Sequence, residues 1–417
     1  MSKDELSRLI ILGAGASVDC GMYPTGSQFV EIAERIISGN ITSYFAKSVL
    51  STSLEWQINR EWFIATLSKL IEARPSSIDS YISSISDERE RGLLKSLIVA
   101  IIIASTAYSR VNSQRFKDNW YFSIWQLIEK NLRACDDDKK IERLKLICGR
   151  IKIITFNYDV SLEMYLLQRL KQNFSSKNLN LLPEAFKVIV DEMITHVYGR
   201  VAGHEEIFKD SGGFFDEVRL SEKQFSSDRE VMSLGKLMKE NEGFVGVFGW
   251  RVGEEGEEYK DVYSAFLSTI LVVMLSIKDD LINAIDVVGH EREAAKKEIN
   301  NLVSQGWDLL YILGYGFDEA NNQILHLKDL NWKGGCFVTN YAVSEMNVNQ
   351  RLERVILDDL LSRTHDSESI EIKSFKIPLI SHKTVSEALK IDFGLLEKPK
   401  VPIKIRTSLT PYLELKK

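Results

Sequence analysis

Leu9-Ile10-Ile11-Leu12 is an unbroken apolar run that stops at Gly13. A run with no polar position reads as a strand buried on both faces. The stretches Ile151 to Phe156 (IKIITF), Trp307 to Gly314 (WDLLYILG) and Cys336 to Asn340 (CFVTN) read as further core strands. Between them the apolar positions change to helical spacing. Phe29, Ile32, Ala33 and Ile36 share one face of a helix expected from about Ser27 to Ile37, behind a Pro24-Thr25-Gly26 turn. Trp56, Trp62, Phe63 and Leu67 repeat at helical intervals, as do Trp120, Phe122, Trp125 and Leu127, so residues 40 to 148 are expected to be mainly helical. Val188 to Val201 passes from helix to strand and ends near Tyr198-Gly199. Residues 205 to 260, rich in Gly, Glu and Ser, predict a mobile excursion with a short strand at Phe244 to Phe248. Apolar strands alternating with long helices predict an α/β fold, a parallel sheet with helices on both faces. The organisation expected is one domain over residues 1–360, with the helical part at 40–148 as an insertion, and a C-terminal extension over 361–417.

Composition narrows the class. The chain has 417 residues, 44% hydrophobic and 27% charged, as expected of a globular protein with a large core. Its net charge of −6 argues against direct nucleic-acid binding by the surface as a whole. The polar N-terminus lacks the pattern of a signal peptide. The runs Leu97 to Ala104 and Ala265 to Ile277 are too short or too interrupted to span a bilayer and read as buried helices. A cytoplasmic protein with no membrane contact is expected. Cys20, Cys135, Cys148 and Cys336 form no C-x-x-C pair, so neither a zinc ribbon nor another metal site is expected. After about residue 370 the character changes. Lys373, Lys376, Lys383, Lys390, Lys398 and Lys400 are interspersed with prolines, and short alternating segments such as Val401 to Ile405 look like edge strands suited to subunit or partner contacts.

The residues with chemistry fall where strands end, the place where open α/β sheets hold their ligands. Gly13-Ala14-Gly15-Ala16-Ser17 follows the first strand. Small residues there let the backbone approach a phosphate, or simply make a tight turn, and Val18 stands where a dehydrogenase fingerprint needs glycine. Thr155-Phe156-Asn157-Tyr158-Asp159 ends the second strand. Asn157 and Asp159 are placed to orient hydroxyls or a water, or to cap the next helix. His196-Val197-Tyr198-Gly199 follows a third, and a histidine there can act as a general base. Gly314-Tyr315-Gly316-Phe317-Asp318-Glu319, with Asn321 beyond, follows a fourth.

In that order, the four motifs resemble the sirtuin superfamily, and more closely the sirtuin-like proteins of bacterial antiphage defence. Gly13 to Gly26 (GAGASVDCGMYPTG) and Ser77-Ile78-Asp79-Ser80-Tyr81-Ile82 are similar to segments of that group, and the likeness covers roughly residues 8 to 345. The resemblance implies a Rossmann-like sheet that binds NAD as substrate. It implies that Gly13, Ala14, Gly15 and Ser17 touch the phosphates and that Pro24 and Thr25 lie over the nicotinamide half. Asn157 and Asp159 would line the ribose pocket, with Asn157 the catalytic amide and His196 the base. Gly314 and Gly316 would approach the adenosine half, and Asn340 the adenine ribose. Two departures matter. The missing cysteine pairs disfavour deacylation, and Tyr198 occupies the position immediately before the glycine where the family often has its histidine. Either His196 or Tyr198 is open for that role. The activity implied is an NAD glycohydrolase, the toxic effector of an abortive-infection system, acting as a homo-oligomer or with a HerA-type ATPase or another defence partner. The alternatives are a module that binds NAD or an ADP-ribose-type signal without turnover, and a transferase.

Overall fold

The computed structural model describes residues 6–19, 24, 26–38, 54–75, 77–111, 120–133, 135–174, 176–203, 207, 270, 274, 285–286, 293–316, 318–326, 330–333, 335–339 and 379–381. Strand β1 (Arg8–Leu12) lies at the centre, every residue of it buried. It pairs in parallel with β2 (Ile151–Thr155) on one side and β5 (Leu309–Leu313) on the other, with Leu12 opposite Thr155 and Leu313. Neighbours on both edges leave β1 no solvated position, which is why its sequence has no alternation. With β3 (Ile194–His196), β7 (Cys336–Thr339) and β8 (Leu379–Ser381), the described residues form a sheet of six parallel strands in the order β3-β2-β1-β5-β7-β8.

Trp307 to Gly314 is not one strand. Gly306–Trp307 (β4) pairs with Asn331–Trp332 (β6) in a separate two-stranded ribbon, and the main sheet begins again at Leu309. Asp308 makes the break. Its carboxylate accepts from the Ser7 N–H at 2.8 Å and the Ser7 hydroxyl at 2.9 Å, and its own N–H donates to Ser7 Oγ at 3.0 Å. A residue tied this way clamps the start of β1 to the start of β5 and takes no part in either sheet.

Helix α1 (Ala14–Asp19) follows β1 and α2 (Gly26–Ile37) comes next. The stretch read as helical contains α3 (Leu54–Ala73), α4 (Ile78–Ser84), α5 (Glu88–Val111), α6 (Tyr121–Leu132) and α7 (Lys140–Cys148). Within α5 the run Leu97 to Ala104 is wholly buried, and no described helix is long and apolar enough to cross a membrane. Trp120, at the start of α6, is buried and donates its indole N–H to Ala16 O at 2.9 Å, tying the helical stretch to the turn after β1. Helix α8 (Ser161–Lys171) leaves β2. Helix α9 (Leu182–Val188) runs through a π-turn at Ile189–Met193 into β3, as the helix-to-strand transition required. Helices α10 (Glu293–Ser304) and α11 (Glu319–Ile324) flank β4 and β5 in the chain. The expected excursion at 205–260, with its strand at 244–248, lies almost entirely outside the described residues. So does most of Ala265 to Ile277, of which Ile270 is helical and buried. Of the C-terminal extension only Leu379–Ser381 is described, and it pairs with β7 as the last strand of the sheet.

Candidate functional site

The strand order runs outward in opposite directions on the two sides of β1, so the turns after β1 and β5 meet at the carboxyl edge, where an open sheet forms a crevice. The glycines of those turns fit one another. A Cβ on Gly13 would come within 2.6 Å of Gly314 O, and one on Gly15 within 2.9 Å of the same atom. Gly314 has a φ of +58°, and a Cβ there would lie 2.0 Å from Ala16 N. Such contacts are not tolerated by real side chains, so Gly13 and Gly15, expected at the phosphates, and Gly314, expected at the adenosine half, are required by backbone-to-backbone packing. The N–H groups of Gly13, Gly15 and Ala16 are likewise committed, to Leu313 O at 3.1 Å, Gly314 O at 2.9 Å and Gly13 O at 2.9 Å. Ala14 and Gly316 are exposed, with open space where a Gly316 side chain would stand. Pro24 is buried. Thr25 and Asn340 lie outside the described residues.

Asn157, after β2, and Ser17, after β1, come together at the same edge of the sheet although 140 positions separate them. The Asn157 amide nitrogen donates to Gly13 O at 3.1 Å and to Ser17 Oγ at 2.8 Å, and Ser17 donates in turn to Asp159 Oδ2 at 2.7 Å. A carbonyl facing the amide fixes which end carries the hydrogens. Both are used, and Asn157 Oδ1 is left shielded from solvent with no hydrogen-bond partner. Asp159 also accepts from the Ser161 N–H at 3.1 Å and from the Ser161 hydroxyl, which ties it to the first turn of α8. The helix-start role expected of this residue is therefore present, and its other oxygen is held by Ser17. Burial pushes its carboxyl above the usual range, and the bonds from Ser161 and Ser17 pull against that.

His196 ends β3 beside Asn157. Its Nδ1 contacts Asn157 O at 2.9 Å and its Nε2 contacts Glu163 Oε1 at 2.6 Å, with the two side chains 5% and 2% exposed. A carbonyl only accepts, so Nδ1 carries hydrogen. Burial would raise Glu163, but the facing imidazole and Arg200 outweigh it and hold the carboxyl below its ordinary value. Nε2 faces that carboxylate, so both ring nitrogens are engaged within the protein, one by a backbone carbonyl and one by Glu163. Tyr198 lies beyond, donating to Asn321 Oδ1, the asparagine that closes the Gly314 motif. Its ring and those of Phe156 and Tyr315 pack together, with centroids 5.7 Å and 5.2 Å from Phe156.

The sequence did not single out Glu163. It lies in a helix whose burial pattern alone would place an acid there as an anomaly, and its partner is 33 positions away. Asp79, in the Ser77–Ile82 segment, reaches the site through Tyr158, whose hydroxyl donates to its carboxylate and also lies 2.9 Å from Asp286 O. Burial raises the Asp79 carboxyl to about 6, against the lowering effect of the Tyr158 bond. Among the described residues no cluster of His, Cys, Asp and Glu is built to hold a metal. Comparison of the chain with family models, curated proteins and solved structures gives no match.

Proposed function

We propose that the protein binds NAD in this crevice, on a Rossmann-like sheet, and hydrolyses its nicotinamide–ribose bond to nicotinamide and ADP-ribose. The observation that carries this is the Asn157 amide, held by both of its hydrogens with its oxygen unpartnered at the carboxyl edge of the sheet. A shielded acceptor without a donor costs about 1–3 kcal/mol. A ribose hydroxyl supplies that donor, and the carbonyl dipole then sits beside the positive charge that develops on the ribose as nicotinamide departs with the bonding pair. Water adds to the oxocarbenium carbon and releases a proton to solvent. Positioning and charge stabilisation are the protein's share, because the leaving group needs no acid. The exposed backbone at Ala14 and Gly316 is assigned to the diphosphate. His196 is assigned to holding the Asn157 backbone. An enzyme that drains NAD needs an off state, which fits an antiphage effector controlled by self-assembly or by a HerA-type or other partner.

Incubating the protein with NAD and measuring free nicotinamide tests this. Asn157→Ala is expected to abolish release while the melting temperature stays close to that of the parent. Full turnover in that variant overturns the assignment.

The closed Tyr198–Asn321 contact and the engaged His196 favour a second function, binding NAD or an ADP-ribose-type signal without turnover. Stoichiometric NAD binding with no nicotinamide released, in the presence of the partner as well as alone, identifies that case.

A further inference from the structure

At the opposite edge of the sheet, where β1 and β2 begin, a cleft of about 430 Å³ opens between those strand starts and helices α6 and α7. Strand β1 separates it from the Gly13 turn by about 17 Å at ~3.3 Å per residue, so it is distinct from the crevice. Its lining carries Arg8, Lys130, Arg133, Arg143 and Arg150 against one carboxylate, Glu129. This concentration of positive charge stands in a chain whose net charge is −6.

Arg8 and Arg143 are partly or wholly withdrawn from water, while Lys130, Arg133 and Arg150 are exposed at the mouth of the cleft. Arg8 is 5% exposed and donates to Leu6 O at 2.8 Å. Arg143 is half-buried and donates through Nη2 to Asn131 Oδ1 at 2.9 Å, while its Nε is shielded from solvent and has no hydrogen-bond partner. Glu129 is engaged by Arg133 at 3.0 Å. Guanidinium groups gathered along one open cleft suit phosphate oxygens, which accept two parallel N–H bonds from one fork. Leu146, 58% exposed, lies on the rim and offers an apolar surface next to that charge. The volume is that of a small-molecule site and admits a single phosphorylated ligand.

We propose that this cleft binds a nucleoside di- or triphosphate, the phosphates on Arg143 and its neighbours and the nucleoside against Leu146. Calorimetric titration of the full-length protein with tripolyphosphate, and then with ADP, tests it. Both probes are expected to bind the parent, and the dependence of that binding on cleft residues separates this cleft from the crevice. Arg143→Gln is expected to weaken both at least tenfold, and Lys130→Gln combined with Arg150→Gln, two exposed positions, to weaken both at an unchanged melting temperature. Leu146→Asp is expected to weaken ADP more than tripolyphosphate. Failure of either probe to bind, or binding indifferent to all of these cleft variants, overturns the assignment. So does cleft-dependent binding of a DNA oligonucleotide without binding of ADP, which would make the cleft a nucleic-acid contact.

Discussion

Asn157 donates to Ser17 and Ser17 to Asp159, a directional chain that ends on an acceptor, and His196 with Glu163 holds it from behind. The two halves predict different defects. Losing Asn157 removes the amide to which the proposed mechanism assigns the ribose. Losing His196 leaves a buried carboxylate and a backbone carbonyl without donors and lets Asn157 drift, so His196→Ala is expected to cost turnover far more than Tyr198→Phe. Whether His196 positions or transfers a proton is decided by Glu163→Gln. With the hydrogen bond kept and the charge removed, a positioning role predicts a lower kcat at an unshifted pH profile of nicotinamide release. A profile displaced along the pH axis would make the pair an acid–base couple. Asp79 gives a prediction in stability. Its folded value of about 6 lies above the unfolded 3.8, so the native state holds the proton more tightly and its contribution to stability weakens as pH rises between those values. Because Asp79 keeps part of its surface exposed, solvent screening reduces the effect to roughly 1–2 kcal/mol. Denaturant titrations of the parent and Asp79→Asn at pH 4 and pH 7 check this. The variant is expected to gain relative to the parent at the higher pH, and an equal difference at both would show that Asp79 ionises normally.

At the scale of elements, the strands were legible wherever burial is complete. β1, β5 and β7 are mainly apolar runs because neighbouring strands and covering helices leave them no wet face, β2 departs from this only at the half-buried Lys152, and the motifs at their ends were found by following those runs to the first glycine or amide. The parts that stayed hidden depend on contacts between distant elements. Asp308 looked like one polar residue inside a strand because its partner, Ser7, is 301 positions away. The role of the glycines was visible as a need for small residues, but the object in contact was not. Gly13 and Gly15 meet Gly314, across the β1–β5 boundary, so part of the pattern that suggests a phosphate is explained by one turn packing on another. Gly314→Ala tests this junction. It would place a Cβ against the Ala16 backbone at a left-handed φ, and the expected loss of stability is roughly 2–4 kcal/mol, read as a lower denaturation midpoint. Gly316→Ala points into open space and is expected to leave the midpoint unchanged and to act on NAD affinity alone.

For the molecule as a whole, the last described strand decides where the folded unit ends. The motifs are complete by about residue 340, and the basic, proline-containing stretch beyond 361 looked like an added arm. Yet Leu379–Ser381 pairs with β7 in the register Phe337 to Leu379, Val338 to Ile380 and Thr339 to Ser381, so the extension supplies the outermost strand of the sheet. β7 matters to the site because the Thr339 hydroxyl accepts the Gly314 N–H at 2.7 Å, fixing the turn that packs on Gly13 and Gly15. Removing β8 exposes the hydrogen-bonding edge of β7 next to that contact, and an unpaired edge invites association with other chains. Two truncations separate the functions of the tail. Ending the chain after residue 381 keeps β8 and is expected to preserve both the melting temperature and NAD binding, while changing oligomer mass or partner capture if the basic residues make those contacts. Ending it after residue 369 is expected to lower the melting temperature, weaken NAD binding and promote aggregation, measured by thermal unfolding, calorimetry and light scattering. A shorter protein as stable as the longer one would show that the sheet is complete at β7 and that β8 adds nothing to the crevice.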